Sequence, residues 1–453
     1  MKIPCKFTTP PRDPLVGPLT GHLLKARNRF AFYKWMATFG EYTRFKLASM
    51  DVYLFTNPEA VNHILKKNAR NYTKNTPSYK VVERVTGKGI FTESEESWLR
   101  LRKIAQPFFT HKQTDHWEAI VERISDDLKI KLDEISTRDE IYPFSPLMTQ
   151  LTLRVLGESI FDKDLGKSAE IFNKELGQLI KLTNDKITYQ MSLNFFKKNQ
   201  SEKKFRSSMA ILDNLISNLI DEAKLEEEYN PNNMIHAFLK APFEVDQSFL
   251  IDQVKTMAFA GHETTSTVLS WALHFLSIYP EWQLKIRDEL KTQLKSEKIK
   301  SRELEQCPLL NAFINETIRM YPPAWAFSRR ALEDDIVEGH PIKAGSIVTV
   351  SPYLMAHDEK YWIDPEEFNP LRFIDPVHLE KQHSYSFIPF GMGPRACVGE
   401  KLSRLELSAI IATFIKDFEL LVPENCPVEM EATLTLAVKD GIKLKIRKHS
   451  FFN

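Results

Sequence analysis

The sequence predicts a mainly α-helical fold with a smaller β-rich part, on three observations. From Glu93 to about residue 225 the apolar spacing is that of helix after helix. The run from Gln247 to Tyr279 is apolar nearly all round, as a helix buried inside a large body must be. Short β-branched and aromatic runs fall roughly in residues 40–60, 330–355 and 430–447. The chain has 453 residues, with no internal repeat and no linker long enough to divide it, and it reads as one domain over 1–453.

Taken in order, residues 21–40 read as a helix with Phe30, Phe32, Trp35 and Met36 on its apolar side. Tyr42 to Leu47 and Val52 to Phe55 read as a hairpin, and Asn57-Pro58-Glu59 starts another helix. Residues 74–94 read as a long irregular loop. The helical stretch that follows contains Phe195-Phe196-Lys197-Lys198 and ends in the charged, Asn/Pro-rich break Lys224 to Asn233. Asp246 caps the long helix and Pro280 stops it, giving a rod of roughly 50 Å. Pro308 to Tyr321 is a further helix, Ile347 to Val350 a strand, and Tyr361 to Phe390 an irregular passage rich in proline and aromatics. A helix from about Val398 to Phe418 comes next, and Leu434 to Ile446 closes the chain as a hairpin turning at Asp440-Gly441.

The 61 basic and 60 acidic residues balance, so there is no bulk drive toward nucleic acid. Cys5, Cys307, Cys397 and Cys426 show no paired spacing, which argues against a disulfide framework or a structural zinc site and fits a reducing compartment. Met1 to Lys6 lacks the apolar core of a signal peptide, and no run of about 18 apolar residues appears. The expectation is a cytoplasmic monomer without an integral membrane segment, although the prolines at 10, 11, 14 and 18 would also suit a sequence trimmed of an anchor.

The stretch that carries chemistry is Ser386-Phe387-Ile388-Pro389-Phe390-Gly391-Met392-Gly393-Pro394-Arg395-Ala396-Cys397-Val398-Gly399-Glu400. Three readings stand. Cys397 is a small buried filler at a turn. Alternatively, Gly391-x-Gly393-x-x-Ala396, with Glu419 about twenty residues on, is a loose dinucleotide fingerprint, against which Pro389 and Pro394 spoil the tight turn. In the third reading Cys397 is a thiolate ligand to haem. Gly391, Gly393 and Gly399 let the backbone bend beneath a flat ring, and the helix start favours thiolate. Phe390 packs beside the sulfur, and Arg395 pairs with a haem carboxylate.

The pattern Phe-x-x-Gly-x-Arg-x-Cys-x-Gly over 390–399 resembles the ligand loop of the cytochrome P-450 haem-thiolate monooxygenases. The chain looks like a soluble bacterial-type member. That resemblance implies a role for other motifs. Glu316-x-x-Arg319, an ordinary helical ion pair if taken alone, is similar to the family's buried Glu-x-x-Arg, with Arg372 as third member. Leu371 stands where the family often carries an acid. Trp98 and Arg102, four apart on one helix face, resemble haem-propionate contacts, as does Arg329. His262-Glu263 is not a zinc-protease motif, because position 266 is Ser. In the family's terms Ala260 and Gly261 let the long helix approach the cofactor, and Glu263 and Thr264 are the acid–alcohol pair that manages protons.

The resemblance implies a cytochrome P-450 fold with haem b between the long helix and the helix after Cys397. It implies insertion of one atom of O2 into an apolar substrate, such as a fatty acid or terpenoid, by hydroxylation or epoxidation. Substrate contacts are expected from the 78–92 loop, the helices around 170–205, Phe259, Ala260, Ala326, Phe327 and Leu436. No flavin or iron–sulfur segment follows the closing hairpin. Electrons are therefore expected from a ferredoxin or flavodoxin with an NAD(P)H-dependent reductase, docking near Arg100, Lys103, Lys401 and Arg404. The rival functions are a haem-thiolate peroxygenase or hydroperoxide isomerase, and a non-catalytic haem sensor.

Overall fold

The computed structural model describes residues 28–47, 50–191, 198–296, 298–424 and 426–449. Its axis is the helix Gln247–Ile278. Asp246 starts this helix by accepting the Phe249 N–H at 2.7 Å, and Pro280 opens the next helix, Pro280–Gln293. Leu250, Met257, Val268, Trp271 and Leu276 are buried along it. The helices Phe144–Phe161, Pro308–Met320 and Glu400–Asp417 pack round it. Further helices, Thr114–Ser136, Ala169–Met191 and Lys198–Leu225, complete the helical region expected between 93 and 225. Phe195, Phe196 and Lys197 lie outside the described residues. Among the described residues no helix is long and apolar enough to cross a membrane.

The strands are β1 (Tyr42–Leu47), β2 (Met50–Phe55), β3 (Tyr72–Thr73), β4 (Tyr142–Pro143), β5 (Phe327–Ala331) and β6 (Asp335–Val337). They continue with β7 (His340–Ile342), β8 (Ile347–Val350), β9 (Phe418–Leu421), β10 (Met430–Ala432), β11 (Leu436–Val438) and β12 (Lys443–Lys448). The largest sheet has the order β1-β2-β8-β5-β3, with β2 and β8 parallel and the other pairs antiparallel. The β3–β5 pairing sets Thr73 opposite Arg330, which brings Lys74 into the neighbourhood of Arg329.

Two expectations are corrected. Residues 77–86 are a helix, Pro77–Thr86, inside the stretch read as loop. Thr76 caps it, Pro77 takes the first position where its missing N–H is harmless, and Gly87 ends it at φ 69°. Val81, Val82 and Val85 are buried along it, so tertiary packing holds a helix that propensity alone would not. The closing hairpin is also different. Asp440 and Gly441 do turn, at φ 58° and 73°, but the strands on either side belong to different sheets. β11 pairs with β10, while β12 pairs with β9 and β4.

What positions the cysteine stretch is a buried ionic cluster. Glu316 accepts Arg319 Nε at 2.7 Å and Nη2 at 2.9 Å, Arg372 Nε at 2.9 Å, and the Asn369 N–H at 2.8 Å. The remaining guanidinium donors go to main-chain carbonyls of Ala356, Pro365, Ile363, Asp364 and Glu367. The Arg319 guanidinium lies 5.3 Å from the centre of the Trp362 ring. Trp362 and Phe373 in turn pack on Phe387, with Phe373 and Phe387 centroids 4.9 Å apart. The cluster thus reaches the first aromatic of the cysteine loop through three rings. Glu316→Ala leaves two buried cations against carbonyl dipoles alone, and we expect a loss of about 3–5 kcal/mol of stability, read from the midpoint of denaturant unfolding.

Candidate functional site

Between the long helix and the cysteine stretch lies a cavity of about 420 Å³, within the usual size of ligand sites. Cys397 is exposed to it while protein surrounds the sulfur on its other sides. The loop that carries Cys397 is closed on itself: the Cys397 N–H donates to Phe390 O at 2.8 Å, and Ala396 N–H to Gly393 O at 3.0 Å. Gly391 and Gly393 adopt φ 71° and 69°, where a side chain is strained. A Cβ on Gly393 would also lie 2.0 Å from Leu65 O. Gly399 lines the cavity, but its φ of −88° suits any residue, and an added Cβ would make only an ordinary contact with Phe109.

Burial pushes the Cys397 thiol above its ordinary pKa. The Gly399 N–H, Arg102 and Lys74 pull the other way without overcoming it. The helix start therefore does not by itself make a thiolate here. A metal ion in the proton's place would supply the missing positive charge.

Around the sulfur stand four cations: Lys74, Arg102, Arg329 and Arg395 all line the cavity. Arg102 Nη1 donates to Ala396 O at 3.2 Å, and Arg329 Nη1 to Ser328 O at 2.8 Å and Tyr79 Oη at 3.3 Å. Arg395 Nη1 donates to Glu93 O at 2.7 Å, and its guanidinium lies 4.0 Å from the centre of the Trp98 ring. Lys74 Nζ donates to Phe91 O at 2.8 Å. Among the described residues none of the four is ion-paired with a carboxylate. Burial and the repulsion of Arg329 pull Lys74 well below its ordinary value and bring Arg395 down to about 10. Such a cluster is electrostatically unfinished, and an anion seated in the cavity completes it. Haem b, with an iron for the sulfur, an apolar ring and two carboxylates, has the chemistry these walls fit.

The facing wall is the long helix. Phe259, Ala260, Gly261, Glu263, Thr264 and Thr265 line the cavity, with Ala326 and Phe327 beside them. Gly261 is small for a packing reason too, since a Cβ there would lie 2.9 Å from Leu156 Cδ1 on the neighbouring helix. The Thr264 hydroxyl donates to Ala260 O at 2.8 Å. Glu263 accepts the Thr435 hydroxyl at 2.8 Å from the tip of the β10–β11 hairpin. Burial pushes its carboxyl up to about 7, against that hydrogen bond. The neighbouring His262 is driven down to about 4 by burial and is neutral.

One expected substrate contact is corrected. Leu436 does not line the cavity; it is fully buried in an apolar cluster with Phe30, Trp325 and Tyr353. Leu434 and Thr435, at the hairpin tip, take the wall instead. From residues 78–92, Ser78, Tyr79, Val82, Ile90 and Phe91 reach it, while the described residues of 170–205 contribute no wall. Sequence reasoning missed Lys74, Arg29, Glu406 and Thr435. A lysine between Thr73 and Asn75 in an apparent loop carries no signal of burial.

A mainly helical body with small sheets, enclosing a cation-lined cavity over one cysteine, is the architecture of a haem enzyme. A sequence model of the family Cytochrome P450 matches residues 11–446, and the chain belongs to that family of haem b monooxygenases. It is 26% identical over 475 residues to Protein LUTEIN DEFICIENT 5, chloroplastic, of Arabidopsis thaliana, covering 96% of this chain and 77% of that protein. It is 27% identical over 434 residues to Alkane hydroxylase MAH1 of the same plant, covering 89% and 85%. A bacterial relative is Bifunctional cytochrome P450/NADPH--P450 reductase 2 of Bacillus subtilis (strain 168), 29% identical over 381 residues, 81% of this chain and 36% of that protein. Relatives also include an insect protein, so the likeness reaches across plants, insects and bacteria and does not single out a soluble bacterial branch. Arg395→Leu takes away one of the four cations that line the cavity, and we expect haem affinity to fall about tenfold or more, read as haem per chain after dilution.

Proposed function

We propose that the protein inserts one atom of O2 into an apolar organic substrate while the other leaves as water. The observation that carries this reading is the placement of Cys397 and the Glu263–Thr264 pair as walls of one cavity. When bound through the Cys397 sulfur, haem b supplies reductive activation of dioxygen, favoured by electron donation from the thiolate. Arg102, Arg329, Arg395 and Lys74 would hold its carboxylates, Trp98 and Phe390 would pack against it, and the small residues Ala260, Gly391 and Gly399 would leave room for it. Phe259, Ala326 and Phe327 orient the substrate and keep water out.

Burial disfavours the charged form of Glu263, so its carboxyl takes up and releases a proton near neutral pH. Thr264 offers a hydroxyl one residue on, so a proton can pass from carboxyl to hydroxyl or through water to the reacting centre. Helices and sheet together wall the site, which supports the chain working as one domain. Electrons are proposed to come from an acidic ferredoxin or flavodoxin and its NAD(P)H-dependent reductase. Arg100, Lys103 and Lys401 are exposed on the helices that adjoin the cysteine, which supports docking there.

Ferrous protein with carbon monoxide is expected to absorb at the long wavelength of thiolate ligation. Cys397→Ala is expected to abolish that band, and its persistence overturns the assignment. In Thr264→Ala we expect reductant consumption to continue with less product and more peroxide, measured as product per NAD(P)H. The proton on Glu263 is present below about pH 7 and lost above it. Product per reductant should therefore fall as pH rises through about 7, and Glu263→Gln should lack that limb. Product formation from peroxide alone, with none from reductant and O2, assigns the protein to peroxygenase chemistry instead.

A further inference from the structure

Asp335 lies outside the cavity, yet it grips the segment that backs the cysteine loop. Its Oδ2 collects three side chains from distant sequence: the Tyr72 hydroxyl at 2.7 Å, His63 Nε2 at 2.9 Å and Asn68 Nδ2 at 3.0 Å. Its Oδ1 accepts the Ile336 N–H at 2.8 Å. Burial opposes the charge, but the bonds from Tyr72 and His63 outweigh it and hold the carboxyl below the ordinary carboxylate range. His63 and Asn68 are the two ends of one turn. His63–Lys67 is a π-helix, closed by the Asn68 N–H donating to His63 O at 2.8 Å. Such a winding is rare, and here a single carboxylate oxygen holds both of its ends.

That turn is the floor of the cysteine loop. The backbone of Leu65 and Lys66 comes so close to Gly393 that a Cβ there has no room. Ile64 and Leu65 share an apolar cluster with Ile388 and Met392 of the loop and with Val337 and Ile342 of β6 and β7. Gly393 O in turn accepts the N–H of Ala396, the residue before Cys397, at 3.0 Å. Resting on the monooxygenase reading above, we propose that Asp335 is a positioning residue for Cys397, holding the π-turn against Gly393 so that the loop presents its sulfur to the cofactor in one place. The route runs from carboxylate to turn, from turn to Gly393, and from Gly393 to the residue before the sulfur. The Glu316 cluster braces the same loop from its other end, at Phe387.

The test follows the ferrous carbon monoxide band of the haem-loaded full chain in urea below the unfolding midpoint, with far-UV ellipticity recorded alongside. Asp335→Ala should speed conversion of the thiolate band to a shorter-wavelength one about 10- to 100-fold, with ellipticity unchanged. Tyr72→Phe removes one donor and should speed it about fivefold, adding little on top of Asp335→Ala because the two act as one unit. Asp335→Asn keeps an acceptor oxygen and should recover part of the wild-type rate. Asp334 precedes Asp335 but spends its carboxylate on Lys343 and the Ala344 N–H, so Asp334→Ala should convert at the wild-type rate. Equal acceleration in Asp334→Ala overturns the proposal, as does loss of the band only in step with ellipticity, because either marks general weakening. An unchanged rate in Asp335→Ala and Tyr72→Phe overturns it too. If Asp335→Ala fails to fold, Tyr72→Phe decides alone: faster conversion supports the proposal and an unchanged rate overturns it. A wild type without the thiolate band sinks the monooxygenase reading, whereas a normal band unmoved by the variants sinks only the positioning role.

Discussion

The structure depends on the buried charge of Glu316. Its two oxygens hold Arg319 and Arg372, and those arginines spend their other donors on the carbonyls of an otherwise irregular passage. The passage has little regular secondary structure to stiffen it, and its order comes from these hydrogen bonds instead. Removing all bonding to one partner would leave charge in a dry interior, so the cluster forms complete or not at all. Through Trp362, Phe373 and Phe387 that order reaches the loop that places Cys397.

A second constraint works in the opposite sense. Where the Glu316 cluster is fully compensated, the cavity is not. Lys74, Arg102, Arg329 and Arg395 face it without a carboxylate partner among the described residues, while burial disfavours the charged form of the acids that line it. Burial pushes Glu263 up to about 7 and Glu406 well above its ordinary value. The cavity therefore presents positive charge with little negative charge to cancel it. This is a stored demand for an anionic guest, and it explains why the site reads as a cofactor cradle from electrostatics as well as from family membership.

The parts legible from sequence were those with local causes. Asp246 and Pro280 bracket the long helix by capping and by loss of an N–H, and no distant partner is needed to see it. Thr76-Pro77 and Gly87 carry an equally local start and stop signal, obscured in reading by the polar residues between 74 and 78. The closing turn shows the limit of such signals. Asp440-Gly441 states that the chain reverses, but β12 takes its partners from β9 and β4, far away in sequence. Leu436 fails as a wall residue for a related reason. On a strand, neighbouring side chains face opposite ways, and which face meets the cavity is set by how the hairpin docks against Phe30 and Trp325.

By itself, then, the sequence determined the chemistry on offer: one cysteine in a glycine-bent loop, an acid and an alcohol in a long apolar helix, and a Glu-x-x-Arg pair awaiting a third member. These depend on residue type and short spacing, which the chain states directly. The tertiary structure alone decided which charges are left unanswered. That Lys74 joins Arg329 and Arg395 and that Glu263 meets Thr435 are consequences of strand pairing and helix docking across hundreds of residues. Burial and charge balance are properties of such assembled neighbourhoods, and no single stretch of sequence contains them.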